Sequence, residues 1–290
     1  MRRILSFLLI PILFFVSACT APEKEEGLPV VVVSIPPQQY FVDYLGQGLC
    51  QVHIMIPPGS SHESYEPKPS DIQRVEHAIA YFRIGAIGFE QAWIGRLQSL
   101  FPDMMMYDLS EGIETDAHDH THSHDHGHGS HICNDPHYWM SARASLVMAE
   151  NIRNALMELF PTHADSIATR FELLAAEIQE LDDTLTQMLL PIENKAFAIF
   201  HPVLGYFAED YGLIQLAMEE DGKEPTPARL KEITQEMQTK QVSIIFIQKE
   251  FNHEHAQLLA QETGARIVVI DPMSMDWKEG LIFIASTLTE

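Results

Sequence analysis

Between Pro161 and Pro191 the chain carries an apolar stripe longer than a small domain needs. Ile167, Phe171, Leu174, Ile178, Leu181, Leu185 and Met188 follow one another in steps of four and three. That spacing gathers side chains on one face of an α-helix. Pro161-Thr162 interrupts an earlier helical pattern, Thr162 and Asp165 offer an N-cap pair, and Pro191 ends the run. At 1.5 Å per residue, such a helix extends about 40 Å. A linking helix is therefore expected over 161–190, able to serve as a strut between two lobes.

On both sides of the strut, short β-branched runs alternate with helical patterns. Before it, strands are expected at 28–35, 52–56, 81–84 and 104–108, with helices at 39–45, 70–80, 89–100 and 141–160. After it, strands are expected at 197–200, 213–217, 242–247 and 266–270, with helices at 204–211, 226–239, 251–263 and 277–288. The first strand, L-P-V-V-V-V-S-I, is continuously apolar, as in a strand covered on both faces of a parallel sheet. Alternation of this kind gives parallel sheets with right-handed crossovers. The expected fold class is α/β, with one lobe over 28–160 and a second over 191–290.

The first eighteen residues read as an export signal. Arg2 and Arg3 precede an apolar run over 4–16, which is shorter than the roughly 20 residues of a membrane span. Val16-Ser17-Ala18-Cys19 resembles a bacterial lipobox, which makes Cys19 the expected lipidated first residue of the mature chain. Residues 19–27 read as a tether. Loss of residues 1–18 removes two arginines and no acid, taking the formal charge from −23 to −25. Such a body repels nucleic acid and attracts cations. Apart from Cys19 there are only Cys50 and Cys133. They could pair in an oxidising compartment, or Cys133 could serve as a soft metal ligand.

One insertion breaks the alternation. Over 116–131 the chain has no apolar patterning, and His118, His120, His122, His124, His126, His128 and His131 are interleaved with small and acidic residues. Imidazoles are largely neutral near pH 7 and free to bind transition metals. Low-affinity metal uptake is the chemistry this tract implies.

Ligands of open α/β sheets bind beyond the carboxyl ends of the strands. Four loops at such ends carry metal-ligating side chains: P-P-G-S-S-H-E-S-Y-E-P with His62 and Glu63, N-D-P-H-Y-W with His137, F-H-P-V-L-G-Y-F with His201, and I-D-P-M with Asp271. Any one of them could be a capping or turn residue. Four at equivalent positions, in a chain with a histidine tract, point to a metal centre. Other conspicuous residues read as structural: His53, His77, His253 and His255 as strand or helix residues, and Tyr65, Trp139, Tyr206 and Tyr211 as packing or ligand-orienting groups. Glu219, Glu220 and Asp221 read as a solvated charge run.

From Val30 to Leu288 these segments, above all P-P-G…Y-E-P, D-P-H-Y-W, F-H-P-V-L-G-Y-F-A-E-D-Y-G-L and E-T-G-A…I-D-P, resemble the metal-binding solute-binding proteins of ABC transporters. The resemblance implies two lobes joined by a rigid backbone helix, with metal in the cleft between them. It implies an exported, lipid-anchored, monomeric carrier that delivers Zn2+ to a permease powered by a cytoplasmic ATPase. By its motifs His137, His201 and Asp271 correspond to ligands, and histidine at the His201 position favours zinc over manganese. For the remaining ligand, register favours Glu63 and softness favours His62, so the pair is expected to share the role. The insertion sits where zinc-carrying members hold a histidine-rich loop. Alternatives are a manganese carrier of the same family, a surface adhesin or a zinc hydrolase. H-E-S-Y-E lacks the second histidine of H-E-x-x-H, and four protein ligands would leave no open position for a catalytic water. No catalytic role is expected.

Overall fold

The computed structural model describes residues 27–113, 135–219 and 223–290. Cys19, Cys133 and the seven histidines of 118–131 lie outside these residues. The N-terminal lobe comprises β1 (Val30–Val33), α1 (Pro36–Gly46), β2 (Gln51–Ile54), α2 (Pro69–Val75), β3 (Ala78–Arg83), α3 (Gly88–Leu100), β4 (Met105–Asp108) and α4 (Ala142–Leu159). The linking helix is α5 (Ala164–Leu189). The C-terminal lobe contributes β5 (Ala196–Ile199), α6 (Gly205–Asp210), β6 (Ile214–Ala217), α7 (Pro227–Thr239), β7 (Ile244–Gln248), α8 (Glu254–Thr263), β8 (Arg266–Ile270) and α9 (Trp277–Thr289).

Each lobe holds a four-stranded parallel sheet, in the orders β2-β1-β3-β4 and β6-β5-β7-β8. The same order thus occurs twice. Val31, Val32 and Val33 are fully buried, as their continuous apolar run requires. Period two governs the second sheet. Ala198, Phe200, Ile245 and Ile247 face a core shared with Ile233 and Met237 of α7 and Ala256 and Leu259 of α8. Phe197, Ile199, Ile244 and Phe246 belong instead to a core that runs through α5 into the N-terminal lobe.

The linking helix buries Ile167, Phe171, Leu174, Ile178, Leu181, Leu185 and Leu189 in that continuous core. Each fully buried leucine or isoleucine contributes roughly 1.5–3 kcal/mol of burial free energy, which fixes the strut to both lobes. Its start differs from the expected N-cap pair. Pro161–His163 forms a single 3-10 turn, and α5 begins at Ala164 behind His163 with no side-chain cap. Ser141 does cap α4, accepting from the Ala144 amide at 3.0 Å, and its hydroxyl donates to Asp210 at the end of α6. Arg143 pairs with Asp182 of α5 at 3.1 Å, and the Tyr211 hydroxyl donates to the same carboxylate at 2.9 Å. Around Asp182, residues of both lobes thus meet the strut.

Two further differences from the sequence reading have physical causes. Residues 78–80 belong to β3 rather than to the preceding helix, because Ala78 and Ala80 pair with Val30 and Val31 of the central strand. Tertiary pairing overrides alanine's helical preference. The last helix also leaves the C-terminal lobe. Trp277 packs on Tyr40 and Phe41 of α1, at 5.8 and 4.9 Å between ring centroids, while Leu281, Ile284 and Ala285 join the continuous core along α5. Among the described residues, no helix is long and apolar enough to cross a membrane.

Candidate metal centre

Three strand-end loops converge in the cleft. The loop after β2 carries His62 and Glu63, and three contacts hold it in place. The Phe89 amide at the start of α3 donates to the His62 carbonyl at 3.1 Å. Asp71 of α2 accepts from the Tyr65 hydroxyl and the Lys68 amide, both at 2.8 Å. Gly88 opens α3 directly against Glu63; a Cβ there would stand 2.4 Å from the Glu63 carbonyl oxygen and 2.7 Å from its Oε2.

His137 stands at the head of a 3-10 turn, Tyr138–Met140, that leads into α4. The Tyr138 hydroxyl donates to the Ile84 carbonyl at 2.9 Å. The Trp139 indole donates across the cleft to the Pro272 carbonyl at 2.9 Å, and the Trp277 indole donates to the Trp139 carbonyl at 2.6 Å. His201 follows β5. Its carbonyl accepts from Gln248 Nε2 at 2.7 Å, which ties it to the end of β7.

The three imidazoles meet through Nε2. His62 Nε2 lies 2.8 Å from His137 Nε2, which lies 3.3 Å from His201 Nε2, and Glu63 Oε1 is 3.3 Å from His62 Nε2. One donor atom from each of His62, Glu63, His137 and His201 falls within 4.8 Å of all the others. Four donors about 2.0 Å from a tetrahedral zinc ion would be roughly 3.3 Å apart, so these separations suit a small cation. The three histidines are buried at 2%, 4% and 6% exposure, whereas the Glu63 side chain is 37% exposed.

Carboxylates behind two of the rings decide which nitrogen faces the centre. His137 Nδ1 lies 2.6 Å from Asp135 Oδ1, and His201 Nδ1 lies 3.0 Å from Glu219 Oε2. Each Nδ1–H donates to its carboxylate, so each Nε2 presents a bare lone pair. Two such lone pairs 3.3 Å apart repel one another unless a cation lies between them. His62 Nδ1, by contrast, is buried without a hydrogen-bond partner. Burial and the other two rings hold the His62 imidazole well below its usual pKa, so it is neutral and available as a donor. For Asp135, burial raises the carboxyl, but the adjacent His137 and the hydrogen bonds from it outweigh this and hold it below the usual carboxylate range.

The geometry sorts the sequence expectations. His62, Glu63, His137 and His201 come together, and both members of the first-loop pair take part. Asp271 does not join them. One of its oxygens accepts from the Met273 amide at 3.2 Å and the other is ion-paired with Lys249, so its turn and a neighbouring ammonium occupy the carboxylate. Lys249 gave no signal in the sequence. Glu219 reverses its expected place: it is 6% exposed and orients His201 rather than facing solvent. The clue was its position, just after β6 and beside the end of β5. Asp135, two residues before His137, is the second orienting group that sequence reading missed.

The sequence profile of the ZnuA family, the periplasmic component A of a zinc-uptake complex, matches residues 31–286. The chain belongs to this family. A crystal structure of a ZnuA deletion mutant with zinc bound is similar over 90% of this chain and 97% of its own, at 31% identity and a TM-score of 0.81. The high-affinity zinc uptake system protein ZnuA of Yersinia pestis is 24% identical over 262 residues, covering 84% of this chain and 82% of its own. The zinc-binding lipoprotein AdcA of Streptococcus pneumoniae (strain ATCC BAA-255 / R6) is 24% identical over 272 residues, 89% of this chain. The chain spans about half of that relative, 53% of its length. Within this ZnuA-family fold, three imidazoles and one exposed carboxylate are brought together in the cleft.

Proposed function

We propose that the chain is an extracytoplasmic zinc carrier that captures Zn2+ in the cleft and delivers it to the permease of an ABC-type importer with a cytoplasmic ATPase. The observation that carries this reading is the convergence of three Nε2 atoms and a Glu63 oxygen, two of the rings held in the metal-binding tautomer by Asp135 and Glu219. A donor set of three nitrogens and one oxygen suits zinc and is softer than manganese prefers. Four protein ligands close a tetrahedral sphere, as in a site that holds a metal rather than one that activates water. Glu63 supplies the oxygen in this reading, with Asp271 held in reserve by Lys249.

The export signal and Cys19 anchor complete the proposal, placing a monomeric carrier on the outer side of a bacterial membrane, and the 118–131 histidines act as an accessory low-affinity collector. Competition titration of the metal-free chain with a chelator of known zinc affinity tests the core of it. One tight site per chain, with weaker manganese binding, is expected. Tight binding that survives His137→Ala and His201→Ala but disappears on deletion of 118–131 would overturn the assignment. Incorporation of labelled fatty acid that is lost in Cys19→Ala tests the anchor.

A further inference from the structure

Gly205 opens α6 in the C-terminal lobe, and its φ is not in the left-handed region, so the backbone there would accept any residue. What excludes a side chain is a neighbour from the other side of the cleft. A Cβ on Gly205 would stand 2.4 Å from Asp135 Oδ2, closer than real Cβ contacts come. The same carboxylate accepts from the His137 amide at 2.9 Å and from His137 Nδ1 at 2.6 Å through its other oxygen. Next to Gly205, the Tyr206 hydroxyl donates to the Asp135 carbonyl at 3.2 Å. The start of α6 thus bonds the backbone of Asp135 and lies directly against its carboxylate.

We propose that Gly205 is a positioning residue of the metal centre, with Tyr206 as its assistant: the missing side chain admits the Asp135 carboxylate that orients His137, so the C-terminal lobe controls a ligand of the N-terminal lobe. Asp135 is short and already committed to two bonds, so it cannot yield to a Cβ without rotating the carboxylate off His137. His137 then loses the partner that keeps the proton on Nδ1, and Nε2 no longer presents a fixed lone pair. The same coupling gives a route for release. When α6 moves away, Asp135 loses the Tyr206 hydrogen bond to its carbonyl, and the group that orients one ligand loosens before any metal bond is broken directly. This inference rests on the proposed zinc site for its affinity readout but not for its tautomer readout.

The test measures zinc dissociation by stopped-flow chelation for the wild type, Gly205→Ala, Asp135→Ala and the double variant, with the thermal midpoint of each metal-free protein. Outer-sphere partners of metal ligands are typically worth about 10–100-fold in affinity. Gly205→Ala and Asp135→Ala are each expected to speed dissociation by roughly that factor, and the double variant should be no faster than Asp135→Ala alone. Gly95→Ala, on an exposed part of α3 with open space around its Cα, serves as the control and should leave the rate unchanged. If Gly205→Ala folds poorly, Tyr206→Phe removes only the hydrogen bond to the Asp135 carbonyl and should still speed dissociation a few-fold. Nitrogen-15 shifts of His137 in the metal-free protein give the independent readout: Nδ1–H in the wild type, a mixture with Nε2–H in Gly205→Ala. Wild-type dissociation and tautomer in Gly205→Ala, or fully multiplicative rate effects in the double variant, would overturn the proposal. Lack of tight zinc binding by the wild type would fall on the function instead, and the tautomer would still decide the role of Gly205.

Discussion

In both lobes the first strand stands second in the sheet, flanked by the second and third strands, yet the two lobes hold their ligands in different ways. The C-terminal lobe offers His201 alone, fixed at a strand end by Gln248 of β7 and by Glu219 just after β6. These supports, and the Phe251 ring that packs on the His201 imidazole at 5.5 Å, all come from its own lobe. The N-terminal lobe brings His62, Glu63 and His137 from loops, supported partly from within by the start of α3 and by Asp135, and partly across the cleft by α6 and Pro272. A shared topology sets where ligands can stand. What holds them is decided by contacts that the strand order does not specify, and those contacts anchor His201 within its own lobe while tying the first-lobe histidines partly to the opposite one.

The largest effect that could break this contrast is expected from the ligands themselves. His137→Ala and His201→Ala should each weaken zinc binding by well over 100-fold, more than loss of any outer partner, measured by chelator competition. Equal and small losses would dissolve the centre as drawn. Next comes the anchor's support. Glu219→Ala should cost about 10–100-fold in zinc affinity while leaving manganese binding weak. A wild-type affinity would remove the reason for treating His201 as buttressed from within its own lobe. Glu63→Ala and Asp271→Ala sharpen the contrast further: the first should raise the zinc Kd clearly, the second should leave it within about twofold, the range of a surface substitution.

The smallest expected effect concerns pH. His62 is buried without a partner for Nδ1, and its folded pKa lies well below 6.5. The folded protein therefore binds fewer protons here than the unfolded chain, and the stability this contributes is present above pH 6.5 and lost as pH falls below it. The thermal midpoint of the metal-free protein should drop between pH 7.5 and 5.5, and the drop should be smaller in His62→Gln. An identical drop in both would show that His62 does not carry it. Zinc affinity should fall over the same interval, because protons compete with metal for each donor.

The element order and the strut were legible in the sequence because period two, period 3.6 and the prolines each act locally. His62 and His201 were legible because they stand in loops that follow strands, where open sheets place ligands, and His137 through the D-P-H-Y-W motif before α4. The rest depended on contacts between distant segments. Only its place just after β6 separates Glu219 from its acidic neighbours, and nothing local warns that Lys249 captures Asp271. The start of β3 was hidden because alanines prefer helix until a central strand offers them partners.

The return of α9 to the first lobe has a consequence for anyone exchanging parts between relatives. A fragment ending at the strut would lack Trp277, Leu281 and Ile284, and so would expose the apolar surface of α1 and α5 that they cover. The functional halves of this molecule are not contiguous pieces of chain. A chimera that swaps the second lobe must keep residues 277–289 with the first, as if the tail had been sewn back through the fabric it began in.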